Sequence, residues 1–88
     1  MRGLSTNDAE VLAISALTET ISDERRARRF LDLSGIDTDE LRRGAGERAL
    51  LAAVLRFLEA HEPDLIDVAT ALDVKPEQLV AAREALEA

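Results

Sequence analysis

The sequence predicts an all-α fold: a compact bundle of five to six short helices around a central apolar helix, with two helix-turn-helix corners. Three observations predict it. Ala, Leu, Glu and Arg, all good helix formers, dominate the chain. No stretch alternates with period two over the length of a strand, and β-branched residues are sparse. Apolar residues instead recur three and four apart, in segments punctuated by Gly, Pro and Asp. Residues 1–88 read as a single helical domain without a linker or low-complexity tract. A chain of this length buries about 60–65% of its unfolded surface, and its hydrophobic fraction of 47% supports a packed core.

The first helix starts near Asn7, a capping residue, with Glu10 at capping-box spacing. Leu12, Ala13, Ala16, Leu17 and Ile21 form its apolar stripe. Ser22 and Asp23 cap a second helix, Glu24 to Leu33, whose apolar positions are Ala27, Phe30 and Leu31. Gly35 stops it in the left-handed conformation. Asp37 or Thr38 caps a short third helix that Gly44 and Gly46 end. The fourth, about Glu47 to His61, is apolar round most of its circumference through Leu50, Leu51, Val54, Leu55, Phe57 and Leu58. Such a helix needs partners on several sides, which makes it the centre of the bundle. Pro63 breaks the chain, because it lacks a donor and restricts Glu62. A fifth helix, about Asp64 to Leu72, comes next, and Pro76 opens a sixth that runs to the end.

Two segments echo each other 38 residues apart, Phe30 to Leu41 and Val68 to Leu79. In each a helix ends at a turn residue (Gly35, Asp73), then come an aliphatic residue (Ile36, Val74) and a new helix. Gly accepts the left-handed conformation freely and Asp tolerates it better than most residues. The buried aliphatic residue pins the corner to the core. Any two helices joined by a short turn share this logic, so the echo is read as two similar corners rather than a duplication.

The composition excludes much. Without cysteine there is no disulfide framework, thiolate metal site or thiol nucleophile. His61 alone cannot build a multi-histidine site, so no metal or cofactor is expected. Met1 to Asp8 lacks the apolar region of a signal peptide. The longest apolar run, Ala49 to Leu55, falls far short of the ~20 residues that span a bilayer. A soluble cytoplasmic protein, without a membrane partner, is the expectation. The net charge of −7 and the absence of Tyr and Trp argue against nucleic acid as a partner. The acidity is concentrated in residues 49–88, with 8 acids and 3 bases, whereas residues 1–48 hold 10 acids and 8 bases.

The sharpest local feature is Arg25-Arg26-Ala27-Arg28-Arg29. On a helix the four arginines cover about half the circumference, opposite Ala27, Phe30 and Leu31. They read either as an interaction face for anions or an acidic partner, or as a solvated face paired with Asp23, Glu24 and Asp32. Arg42, Arg43 and Arg48 enlarge the patch if the third helix lies beside the second. Other constellations carry less. The sixth helix opens with Pro76 and Glu77 and holds one base, Arg83, which is poor equipment for reading DNA. Asp32 to Glu40 is acidic, but its Gly falls at the fourth place and Arg43 at the twelfth, so it is not a calcium loop. His61 shares a face with Leu50, Val54, Phe57 and Leu58 and is read as a packed helix-terminal ring.

Several segments resemble a small, uncharacterised, all-helical proteobacterial family, a domain of unknown function. They are Ala13 to Leu17, Arg29 to Ile36, Asp39 to Arg42, Leu51 to Leu58 and Pro76 to Arg83. The resemblance covers nearly the whole chain and implies a bacterial cytosolic setting. It implies no active site, because its motifs are packing motifs.

By elimination the expected function is a non-enzymatic protein-interaction or regulatory module that binds another macromolecule through a helical face. The alternative is a nucleic-acid-associated protein using Arg25, Arg26, Arg28, Arg29, Arg42 and Arg43. A third reading, an enzyme acting through carboxylates, requires two acids converging in an apolar pocket. Homo-oligomerisation is also open, through Val11, Ile14 and Leu33, which fall outside the main apolar stripes.

Overall fold

In the computed structural model, which describes residues 6–44 and 47–88, the chain folds as six helices: α1 (Thr6–Ser22), α2 (Glu24–Ser34), α3 (Thr38–Arg43), α4 (Arg48–Ala60), α5 (Glu62–Ala71) and α6 (Pro76–Glu87). No strand occurs among the described residues. The predicted all-α bundle is observed. Its radius of gyration, 11.9 Å, is close to the ~12 Å of a folded chain this long.

The centre is α4, as its pattern predicted. Leu50, Leu51, Ala52, Val54, Leu55, Phe57 and Leu58 are all buried, and α4 packs against α1, α2, α5 and α6. The most extensive packing joins α1 to α6, and α4 packs about equally on both. Small residues permit it: Ala9, Ala13 and Ala16 on α1 and Ala82 on α6 are fully buried. The inner stripe of α1 continues to Thr20, not to Ile21, which is 41% exposed. Thr20 tolerates burial because its hydroxyl donates to the Ala16 carbonyl at 2.7 Å, so no donor is left without a partner.

The predicted stops and starts are mostly where their chemistry puts them. Asp23 caps α2, accepting from the Arg26 amide at 2.9 Å, and Asp37 caps α3, accepting from the Glu40 amide at 2.8 Å. Gly35 (φ 73°) closes α2 in the left-handed region, its amide donating to Leu31. At the second corner Asp73 (φ 56°) does the same for α5. There the Asp73 and Val74 amides donate to the carbonyls of Thr70 and Ala69, the bond pattern of a Schellman turn. Ile36 and Val74 are half-buried against the core, so both corners are pinned as expected.

Two boundaries differ from expectation, and a third is tested only in part. The first helix is already helical at Thr6, so Asn7 lies in its first turn rather than at its cap. Pro63 does not precede α5 but sits inside its first turn, where a missing amide proton costs no helical bond; the break is the single residue His61. Gly44 ends α3, whereas Gly46 lies outside the described residues.

Candidate functional site

The six arginines of the predicted interaction face go to different places. Only Asp23 separates α1 from α2, so Arg26, in the first turn of α2, lies back against the end of α1. Its Nη2 donates to the Glu19 carbonyl at 2.9 Å and its Nε to the Thr20 carbonyl at 3.4 Å. It is 8% exposed. Arg26 therefore closes the carbonyl end of α1, where a cation also meets the negative end of the helix dipole. Arg29 pairs with the buried Asp64 in the first turn of α5, tying α2 to α5. Arg25 and Arg28 remain exposed, beside Glu24. Arg42 and Arg43 are exposed on α3, which does not pack along α2. Arg43 instead lines a depression with Ile36, Glu40, Glu47 and Leu50. The structure thus disperses the six charges.

Two of these arginines have roles that neighbouring acids do not explain. The partners expected from helical spacing were Asp23, Glu24 and Asp32. The partners found are backbone carbonyls for Arg26 and, for Arg29, an aspartate 35 residues away.

What the fold builds instead is an apolar groove. Beyond the first corner α3 is only six residues long and buries no residue fully, so the flank of α4 beside the corner stays uncovered. A groove of about 470 Å³ lies there, lined by Phe30, Leu33, Ile36, Ala53, Phe57 and His61, with Ser34, Arg56 and Ala60 at its edges. Phe30 and Phe57 meet edge-to-face at the floor, with centroids 5.4 Å apart and planes at 69°. Such a pair adds about 0.5–1.5 kcal/mol beyond its area. The rim holds Leu33, which is 63% exposed.

The polar groups at the groove are already engaged. His61 stacks on Phe57 at 4.8 Å, and its Nδ1 lies 3.0 Å from the Phe57 carbonyl. A carbonyl only accepts, so that bond places the proton on Nδ1. Arg56 donates from Nε to Glu87 at 2.5 Å. Glu87 also accepts from Arg83 at 2.7 Å, and Arg83 donates to Glu59 at 2.6 Å. This network binds α4 to α6. The hydrogen bonds that Glu87 accepts from Arg56 and then Arg83 hold its carboxyl below its ordinary range, and those that Arg83 donates to Glu59 and then Glu87 push Arg83 up.

The arrangement suits binding of apolar side chains more than bond chemistry. Two acid pairs line depressions elsewhere: Glu40 and Glu47 are both exposed, and Asp64, near Glu62, is held by Arg29. Neither forms two carboxylates in an apolar pocket. Among the described residues no group of three or more His, Asp or Glu could hold a metal ion, and no helix is long and apolar enough to cross a membrane.

The groove was not anticipated from the sequence. Its one local signal is Leu33, an apolar residue off the buried stripe of α2 and two positions before the stop. Val11 and Ile14, grouped with Leu33 in the expected oligomer patch, lie on α1 and are not part of the groove lining.

No curated protein and no solved structure matches the chain. A family model does match, over residues 6–88, and by that match the chain belongs to DUF3572, a family of proteins of unknown function.

Proposed function

We propose that this domain is a non-enzymatic protein-interaction module that takes an apolar segment of another protein into the groove between the first corner and α4. We place it in the bacterial cytoplasm, the setting that the family resemblance implies. The observation that carries the reading is the groove itself: an apolar depression over the buried Phe30–Phe57 pair, with an aliphatic rim residue, Leu33, held 63% exposed. Concave apolar surface with a few fixed polar groups at its edge is the usual form of a binding site. The nucleic-acid alternative draws less support, because Arg26 is internal and Arg29 is paired with Asp64.

Photo-crosslinking from the groove, with partner identification by mass spectrometry, tests the reading. The wild-type domain should capture a protein partner, and Leu33→Asp should lose it while keeping a native circular dichroism spectrum. Arg25→Glu with Arg28→Glu should leave capture intact. Loss of capture in the arginine variant with retention in Leu33→Asp would move the site to α2. A gel-shift titration should show no steep dependence on salt; a steep slope would revive nucleic acid as the partner.

A further inference from the structure

The first helix is apolar on two sides. Its inner stripe, Ala9, Ala13, Ala16 and Thr20, is buried against the bundle. On the other side Val11, Ile14, Thr18 and Ile21 also stand three and four residues apart, so they form a second ridge along the helix. Val11 is 59% exposed, Ile14 42% and Ile21 41%. A surface helix that serves only its own core turns charged and polar residues outward; α1 turns β-branched aliphatics outward.

Two further observations qualify this ridge as a docking face. The Ser15 and Thr18 hydroxyls donate to the Val11 and Ile14 carbonyls of the same helix, at 3.2 and 3.1 Å. Covering the face would therefore strand no hydroxyl donor. The flanks are of one sign. At 100° per residue, Asp8 and Glu19 fall along one edge of the ridge and Glu10 along the other, and α1 contains no Lys, Arg or His.

We infer that the outer face of α1 docks a basic amphipathic helix of a partner protein. Its aliphatic stripe lies on the Val11–Ile14–Ile21 ridge and its Lys or Arg flanks face Glu10 and Glu19. Charge chooses this occupant over a second copy of the chain, because the edges of the ridge on α1 carry acids and no base, which a copied α1 would repeat rather than complement. The net charge of −7 steers the same cationic partner toward the domain. This face shares no residue with the groove, so the two proposals stand or fall separately.

The test is a selection on the intact domain. The library consists of helical peptides of α1's own length, with a fixed Leu/Ile stripe and flanks randomised over Lys, Glu and Gln. The expected winners carry Lys flanks, weaken as salt rises, and lose at least about tenfold in affinity when their Lys residues are changed to Glu. The same loss is expected on Val11→Ser with Ile14→Ser, two exposed substitutions that leave the inner core untouched. Leu33→Asp should change nothing. Winners with Gln or Glu flanks, winners indifferent to the α1 substitutions, or no enrichment would overturn the inference. So would a dimer in light scattering that Ile14→Ser dissolves, since a second copy would then cover the face. Winners abolished by Leu33→Asp alone would overturn it too, and would place the peptides in the groove.

Discussion

The two corners share their local chemistry and differ in the helix that each one launches. Gly35 and Asp73 both stand in the left-handed region, and each precedes a half-buried aliphatic residue, Ile36 or Val74. After Asp73 comes α6, twelve residues with Leu79, Ala82 and Leu86 buried against α1 and α4. After Gly35 comes α3, six residues with none buried. The second corner is therefore closed by its outgoing helix, and the first stands open beside Phe30 and Phe57. A turn fixes direction; the length and apolar content of the next helix decide whether the space beyond it becomes core or groove.

The contrast between the corners should be largest in the core. Leu79 is fully buried in the helix beyond the closed corner, and Leu79→Ala should cost about 2–5 kcal/mol in urea denaturation. Leu41, at the matching place after the open corner, is only half-buried, and Leu41→Ala should cost about 1 kcal/mol or less. Equal losses would mean that α3 is as integral as α6. Next in size is the tie between the helices that enter the two corners. Asp64→Ala leaves Arg29 without its partner and should lower stability by about 1–3 kcal/mol, the exposed side of Arg29 moderating the loss. Thermal melts of Asp64→Ala, Arg29→Ala and the double variant should show a non-additive cycle.

Smaller effects of opposite sign are expected at the turn residues. Gly35→Ala puts a Cβ on a backbone with φ of 73°, where no atom lies within 4 Å, so the cost is backbone strain alone, about 1 kcal/mol. Asp73→Gly relieves that strain at the second corner and should be neutral or raise stability by up to about 1 kcal/mol. A loss at Asp73→Gly would assign its side chain a role beyond the turn.

The smallest effect is acid sensitivity at the open corner. The Glu40 amide bonds to Asp37 and holds its carboxyl below the ordinary value of 3.8, whereas Lys75, before α6, makes no side-chain cap. The lowered folded value means that the cap's stabilisation is fully present above 3.8 and fades as pH falls through the folded value. The Arg26 amide does the same for Asp23. Asp37→Ala and Asp23→Ala should each flatten the decline of stability in that acid window, and Lys75→Ala should not. Chemical denaturation at successive pH values measures it.

Much of this fold was legible because its signals are local. Asp23, Asp37, Gly35, Asp73 and Pro76 each act within about four residues, and α4 announces its centrality by its own circumference. What escaped depends on chain brought together from afar or on backbone. Arg29 finds Asp64 across the bundle, and Arg26 finds carbonyls, which no spacing of side chains reveals. The exchange of Ile21 for Thr20 on the inner face turned on a hydroxyl able to serve its own helix. The groove exists because α3 is short and buries no residue fully, a fact about missing packing rather than about any residue in it.

Arg26 has a consequence for the order of assembly. Its amide serves Asp23 at the start of α2 while its guanidinium serves Glu19 and Thr20 at the end of α1, all within seven positions along the chain. One residue thus fastens two helix ends at once, across a loop short enough to close in well under a microsecond. The α1–α2 hairpin can form before the distant α1–α6 contact is made, and so offers α6 a prepared surface on which to dock.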